Sequence, residues 1–117
     1  MKRNMDLIRQ LLLAVEENPS PTEPCDPVPK GHSEEDVAYH CLLLRQAELI
    51  EGIDTEGPAG PTVAPIRLTW AGHEFLDVAR EPVRWTEAKR VLAKVGSASL
   101  SVWKKVLAGL IVKQLGL

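Results

Sequence analysis

Apolar residues recur at helical spacing over Met5–Glu17, where Met5, Ile8, Leu11, Leu12 and Val15 share one face. Asn4 is a natural N-cap, Asp6 suits the first turn, and Asn18-Pro19 stops the run. A second stripe, Val37, Cys41, Leu44 and Ala47 with Leu43 widening it, predicts a helix near 34–48. Ser33 caps it, and Asp36 sits at the third helical position. Leu49-Ile50-Glu51 then begins a strand, and Pro65–Trp70 alternates with Ile66 and Leu68 on one face. The stretch between them, Gly52 to Thr62, holds three glycines and two prolines and reads as a loop tip. The two strands therefore predict a hairpin pairing about 48–52 with 65–69. Further helical periodicity covers 71–80, 83–95 and 99–115, broken at Glu81-Pro82 and Gly96; the Thr69 hydroxyl can cap the first, and the last opens at Ser97 or Ser99.

Prolines at 19, 21, 24, 27 and 29 exclude a helix interior or a central strand between the first two helices. This segment reads as a stiff connector. The predicted fold class is mainly α with a small β-hairpin (α+β), a winged helix-turn-helix-like domain with extra C-terminal helices. Its expected division is 1–95 for that domain and 96–117 for a terminal helix that packs on it or dimerises.

Composition narrows the function. A chain of 117 residues, 44% hydrophobic and 26% charged, can build a real core. No apolar run is long enough to span a membrane. The net charge of −2 excludes a generic polyanion binder, but the charge is uneven: residues 1–66 sum to −7 and 67–117 to +5. The spacing of Cys25, Cys41, His32, His40 and His73 fits no familiar metal pattern, and the two cysteines form no C-x-x-C. With no signal segment read at the N-terminus, the expectation is a cytoplasmic protein with reduced thiols. There is no glycine-rich phosphate loop and no nucleophile elbow. His40 and Cys41, adjacent on a helix, point about 100° apart and make no dyad. No enzyme activity, cofactor or metal is therefore expected.

The order helix, loop, helix, strand, glycine-rich loop, strand, helices is the plan of a winged helix. Val37, His40, Leu44, Ala47, Leu49 and Ile50 resemble the recognition-helix pattern of arsenic-repressor-type regulators. The phrase Leu68-Thr69-Trp70-Ala71-Gly72-His73-Glu74-Phe75-Leu76 resembles the exit from the wing in such domains. Together with Met1–Arg9, Tyr39-His40, Asp77 and Arg80…Trp85, it is similar to a family of bacteria and their phages, the domain of unknown function 2513. That family name supplies no activity; the resemblance to regulators implies a winged-helix regulator that binds double-stranded DNA, with Tyr39, His40, Arg45 and Gln46 on the reading helix and Arg67 on the wing.

Three features depart from the regulator pattern. Glu48 stands where regulators carry a glycine with positive φ, Leu42 falls on the DNA-facing side, and Glu34, Glu35 and Asp36 open the reading helix. The alternative is a winged-helix module that uses this surface for protein contacts. The wide apolar face of the last helix predicts a homodimer through Trp103, Leu107, Leu110 and Ile111. Trp70, Trp85 and Trp103 are expected as core or interface anchors, and His73 as a brace of the strand–helix turn.

Overall fold

The computed structural model describes residues 1–117. The elements are α1 (Met5–Glu16), α2 (Glu34–Gln46), β1 (Ile50–Gly57), β2 (Gly60–Leu68), α3 (Trp70–Ala79), α4 (Pro82–Leu92), a 3-10 turn (Ala93–Val95) and α5 (Leu100–Gln114). This is an α+β chain of five helices and one antiparallel hairpin, consistent with a winged-helix-like small domain. It divides into two compact units, Met1–His73 and Glu74–Leu117. The helix assigned to a separate terminal piece from sequence thus shares a unit with α4.

In the first unit, α1 packs on α2 and β2, and α2 packs on both strands. The caps lie where the polar residues place them. Asn4 Oδ1 accepts from the Leu7 N–H at 3.2 Å, and Ser33 Oγ from the Asp36 N–H at 3.1 Å. Leu7, Leu11, Leu12 and Leu44 are fully buried.

The hairpin is longer than the sequence reading allows. Residues 52–57 pair with 60–65 almost to the tip, leaving Pro58-Ala59 as the turn. Glycine and proline are tolerated here because each strand of a two-stranded ribbon keeps one edge free. A bulge follows Glu51: Glu51 pairs with Arg67, but Gly52 pairs with Pro65, so Ile66 is the extra residue. The bulge moves burial from the even to the odd positions of β2. Leu68 is buried on one side of it, and Pro65 and Val63 on the other, while Ile66 is only half-buried. At Gly52 a Cβ would run into the Ala64 carbonyl oxygen.

The end of α2 locks onto the exit from the hairpin. Leu49 N–H donates to the Leu44 carbonyl and Glu48 N–H to that of Arg45, both at 2.9 Å. These two bonds form a Schellman motif. Glu48 occupies its left-handed position at φ +59°, the only non-glycine residue with positive φ. Thr69 then joins the two segments. Its N–H donates to the Leu49 carbonyl at 3.0 Å, and its hydroxyl donates to the Glu48 carbonyl at 2.6 Å. The same hydroxyl accepts from the Gly72 N–H at 3.0 Å, capping α3. A Cβ on Gly72 would collide with the Leu49 carbonyl oxygen. The Leu-Thr-Trp-Ala-Gly phrase therefore carries a cap and a required close approach.

In the second unit, α4 begins with Glu81 capping the Val83 and Arg84 N–H groups at 2.9 and 2.7 Å, with Pro82 in the first turn. Trp85 and Trp103 stack with centroids 4.7 Å apart at 26°. This corrects the dimer expectation for two of its four residues. Trp103 is 7% exposed and Leu107 fully buried in the single chain, so neither is free to anchor a partner. Leu110 and Ile111 are half-buried. Trp70, expected as a core or interface anchor, lies outside the core at 81% exposure.

Two substitutions test the α2–hairpin lock by urea denaturation. Gly72→Ala is expected to cost at least about 2 kcal/mol, because the obstacle is backbone rather than a movable side chain. Glu48→Gly is expected to stabilise by about 0.5–1 kcal/mol, relieving left-handed strain at some cost in chain entropy. Equal midpoints for wild type and Gly72→Ala would contradict the lock.

Candidate functional site

The surface expected to meet DNA is the exposed side of α2 with the hairpin beside it. The structure places the five expected contact residues very differently. His40 is 1% exposed. Its Nε2 accepts from the Asn4 N–H at 2.8 Å, and its Nδ1 donates to the Asp36 carbonyl at 2.7 Å. Both nitrogens are spent on backbone, so His40 braces α1 against α2 and cannot reach a base; its assignment to DNA is corrected. Tyr39 is half-buried with its ring edge-on to His40, 5.6 Å between centroids. Arg45 forms an ion pair with Asp54 of β1. Arg67 donates to Glu51 directly across the hairpin at 2.6 Å and to the Pro21 carbonyl at 2.9 Å. Gln46 and Arg67 are exposed, and of these two Arg67 is already paired.

The surface is acidic. The unit Met1–His73 carries six basic and twelve acidic side chains, a net charge of −6, and Glu74–Leu117 carries +4. Glu34, Glu35 and Asp36 lie in the first turn of α2, where the helix dipole favours them. His73, expected as a brace, is exposed, and Thr69 does that work.

The proline-rich connector is not a detached linker. The Cys25 N–H donates to the Pro65 carbonyl at 2.8 Å, and the Cys25 thiol to the same oxygen at 3.3 Å. Asn18 Nδ2 donates to the bulge carbonyl of Ile66 at 2.8 Å and to the Glu23 carbonyl at 2.9 Å. The connector therefore runs as a strap along the free edge of β2. Asn18, read from sequence only as a helix stop, is the post that fixes it. A groove of about 480 Å³ opens between this strap, α2 and the hairpin tip. Sequence reasoning missed it because its walls come from three segments distant along the chain.

Both cysteines line the groove. Burial pushes the Cys41 thiol up to about 11, and the neighbouring Cys25 and Asp26 add to the shift. Cys25 is raised as well, chiefly by burial, against a lowering by its own backbone hydrogen bond. No three histidine, cysteine or carboxylate side chains gather closely enough to hold a metal ion. No helix is long and apolar enough to cross a membrane.

The sequence pattern of the family described as "Hypothetical protein (DUF2513)" matches residues 2–99. A Haemophilus influenzae protein described as "Uncharacterized protein" is 37% identical over 117 residues, covering 98% of this chain and 99% of its own length. No solved structure matches.

The Cys41 shift predicts a pH dependence. The thiol holds its proton more tightly folded, at about 11, than unfolded, near 9.0. Its contribution is present below pH 9 and is lost as pH rises from about 9 to 11. Stability is expected to fall over that window by about 2 kcal/mol more in the wild type than in Cys41→Ala. Parallel pH profiles for the two proteins would refute the shift.

Proposed function

The chain belongs to the DUF2513 family, and on that premise we propose that it is a non-enzymatic, winged-helix-like module that contacts another protein through α2 and the hairpin rather than reading duplex DNA. The observation that carries this reading is the fate of the cations. Arg45 is neutralised by Asp54 and Arg67 by Glu51. DNA affinity rests on lysine and arginine displacing counterions from phosphates. A face whose arginines are already paired, on a unit of charge −6, offers little of that. The three carboxylates opening α2 would meet phosphate with the wrong sign. Protein surfaces carry no such uniform charge, and an acidic face gains orientation and association rate from a basic partner.

The resemblance of α2 to a regulator's recognition helix favours the second reading, DNA binding, and the two differ in measurable ways. In fluorescence anisotropy at about 50 mM salt, a random duplex is expected to bind no more tightly than about 10⁻⁴ M, the weak end of non-specific association. Arg45→Ala is expected to change nothing. A photoreactive residue replacing Gln46 is expected to yield protein adducts in cells and no nucleic-acid adducts. Micromolar duplex binding that weakens steeply with salt and drops about tenfold in Arg45→Ala would overturn the proposal in favour of DNA.

A further inference from the structure

The groove under the strap has a chemistry of its own. Its floor is apolar: Val37, Ala38 and Cys41 from α2, and Val63 from β2. At about 480 Å³ it lies in the size range of ligand-binding clefts, room for two or three side chains of an extended segment. Five of its lining residues are prolines: Pro24, Pro27 and Pro29 in the strap, Pro58 at the hairpin tip and Pro65 in β2. A proline presents a carbonyl and no N–H. These five positions bring carbonyls and no N–H to the lining.

Three carboxylates from three separate elements stand around the opening: Asp26 on the strap, Glu34 at the start of α2 and Glu56 near the hairpin tip. None of them enters an ion pair. Elsewhere on this unit Glu51 and Asp54 are matched to arginines of the chain itself, whereas the three at the groove are not. A cation brought to this mouth meets carboxylates from three elements. An anionic rim above an apolar floor disfavours phosphate and carboxylate ligands. Rim and floor call for an aliphatic side chain flanked by an ammonium or guanidinium group.

Resting on the protein-interaction reading above, we infer that this groove receives a short extended segment of a partner protein in which lysine or arginine alternates with aliphatic residues. The aliphatic side chains enter the floor, and the flanking cations meet Asp26, Glu34 and Glu56. Prolines deny the segment a β-ladder along the strap, so recognition runs through side chains rather than through strand addition.

The probe is a fluorescein-labelled Lys-Val-Lys-Leu-Lys-Val peptide, titrated into the full chain. The peptide is expected to bind saturably, to weaken with salt, and to slow alkylation of Cys25 by iodoacetamide. The triple variant Asp26→Asn, Glu34→Gln, Glu56→Gln, checked for an unchanged circular dichroism spectrum, is expected to lose about tenfold or more in affinity. A Glu-Val-Glu-Leu-Glu-Val peptide is expected not to bind. Spermine, which carries the charge without the apolar side chains, is expected to compete weakly.

Absence of saturable binding, binding indifferent to the triple variant, or an unprotected Cys25 would overturn the inference. Spermine competing as well as the peptide would also overturn it, because the floor would then play no part. Self-association of the wild type at tens of micromolar, abolished in the triple variant, would replace the partner segment with a second copy of this chain. Each of these outcomes leaves the broader reading intact as long as duplex DNA stays unbound. Salt-sensitive duplex binding carried by Arg45 defeats the broader reading whatever the peptide does.

Discussion

A single hydroxyl organises the first unit. Thr69 Oγ1 donates to the carbonyl of Glu48 and accepts from the N–H of Gly72. One atom thereby satisfies an acceptor beyond the end of α2 and a donor at the start of α3. Helix termini leave such groups unpaired, and leaving them buried and unpaired is costly. The arrangement needs the two segments almost in backbone contact, which is why position 72 has no room for a Cβ. It also needs the chain to reverse within two residues after α2. That forces Glu48 into the left-handed region, where glycine would be unstrained. The direction in which the hairpin leaves α2 follows from this lock.

The proline-rich strap solves a second problem. A two-stranded hairpin exposes a row of backbone groups on each edge, a liability for unwanted pairing. Here the strap contributes one N–H and one thiol to the Pro65 carbonyl, and Asn18 closes the bulge at Ile66. Because the strap's prolines bring no further donors, it covers the edge without extending the sheet. The space left between strap and helix becomes a groove rather than a packed core.

Two arginines on this surface are paired within the chain. A winged-helix plan ordinarily presents cations to phosphate from its reading helix and its wing. Here Arg45 on α2 and Arg67 on β2 are each opposed by a carboxylate on the hairpin. Such exposed pairs contribute little stability, about 0–1 kcal/mol each. Their larger effect is to remove the positive potential that nucleic acid would seek. The acidic half and the basic half visible in the sequence coincide closely with the two compact units, −6 and +4.

Much was determined by sequence alone, wherever the signal is local. Apolar spacing located all five helices, and the caps at Asn4 and Ser33 operate as their residue types require. The resemblance to regulators marks position 48 as one of positive φ, and Glu48 takes that conformation without being glycine. What tertiary structure decided is whatever depends on residues far apart in the chain. Segment 52–62 reads as loop by composition, yet cross-strand pairing makes most of it strand. His40 and Arg45 are both polar residues on one helix. Only the approach of Asn4 buries the first, and only the approach of Asp54 neutralises the second. Trp70 and Trp103 are the same residue type in comparable helical patterns, yet one is exposed and the other stacks on Trp85. Periodicity gives the face a side chain occupies; whether another segment arrives to cover that face is settled by packing between distant parts of the chain.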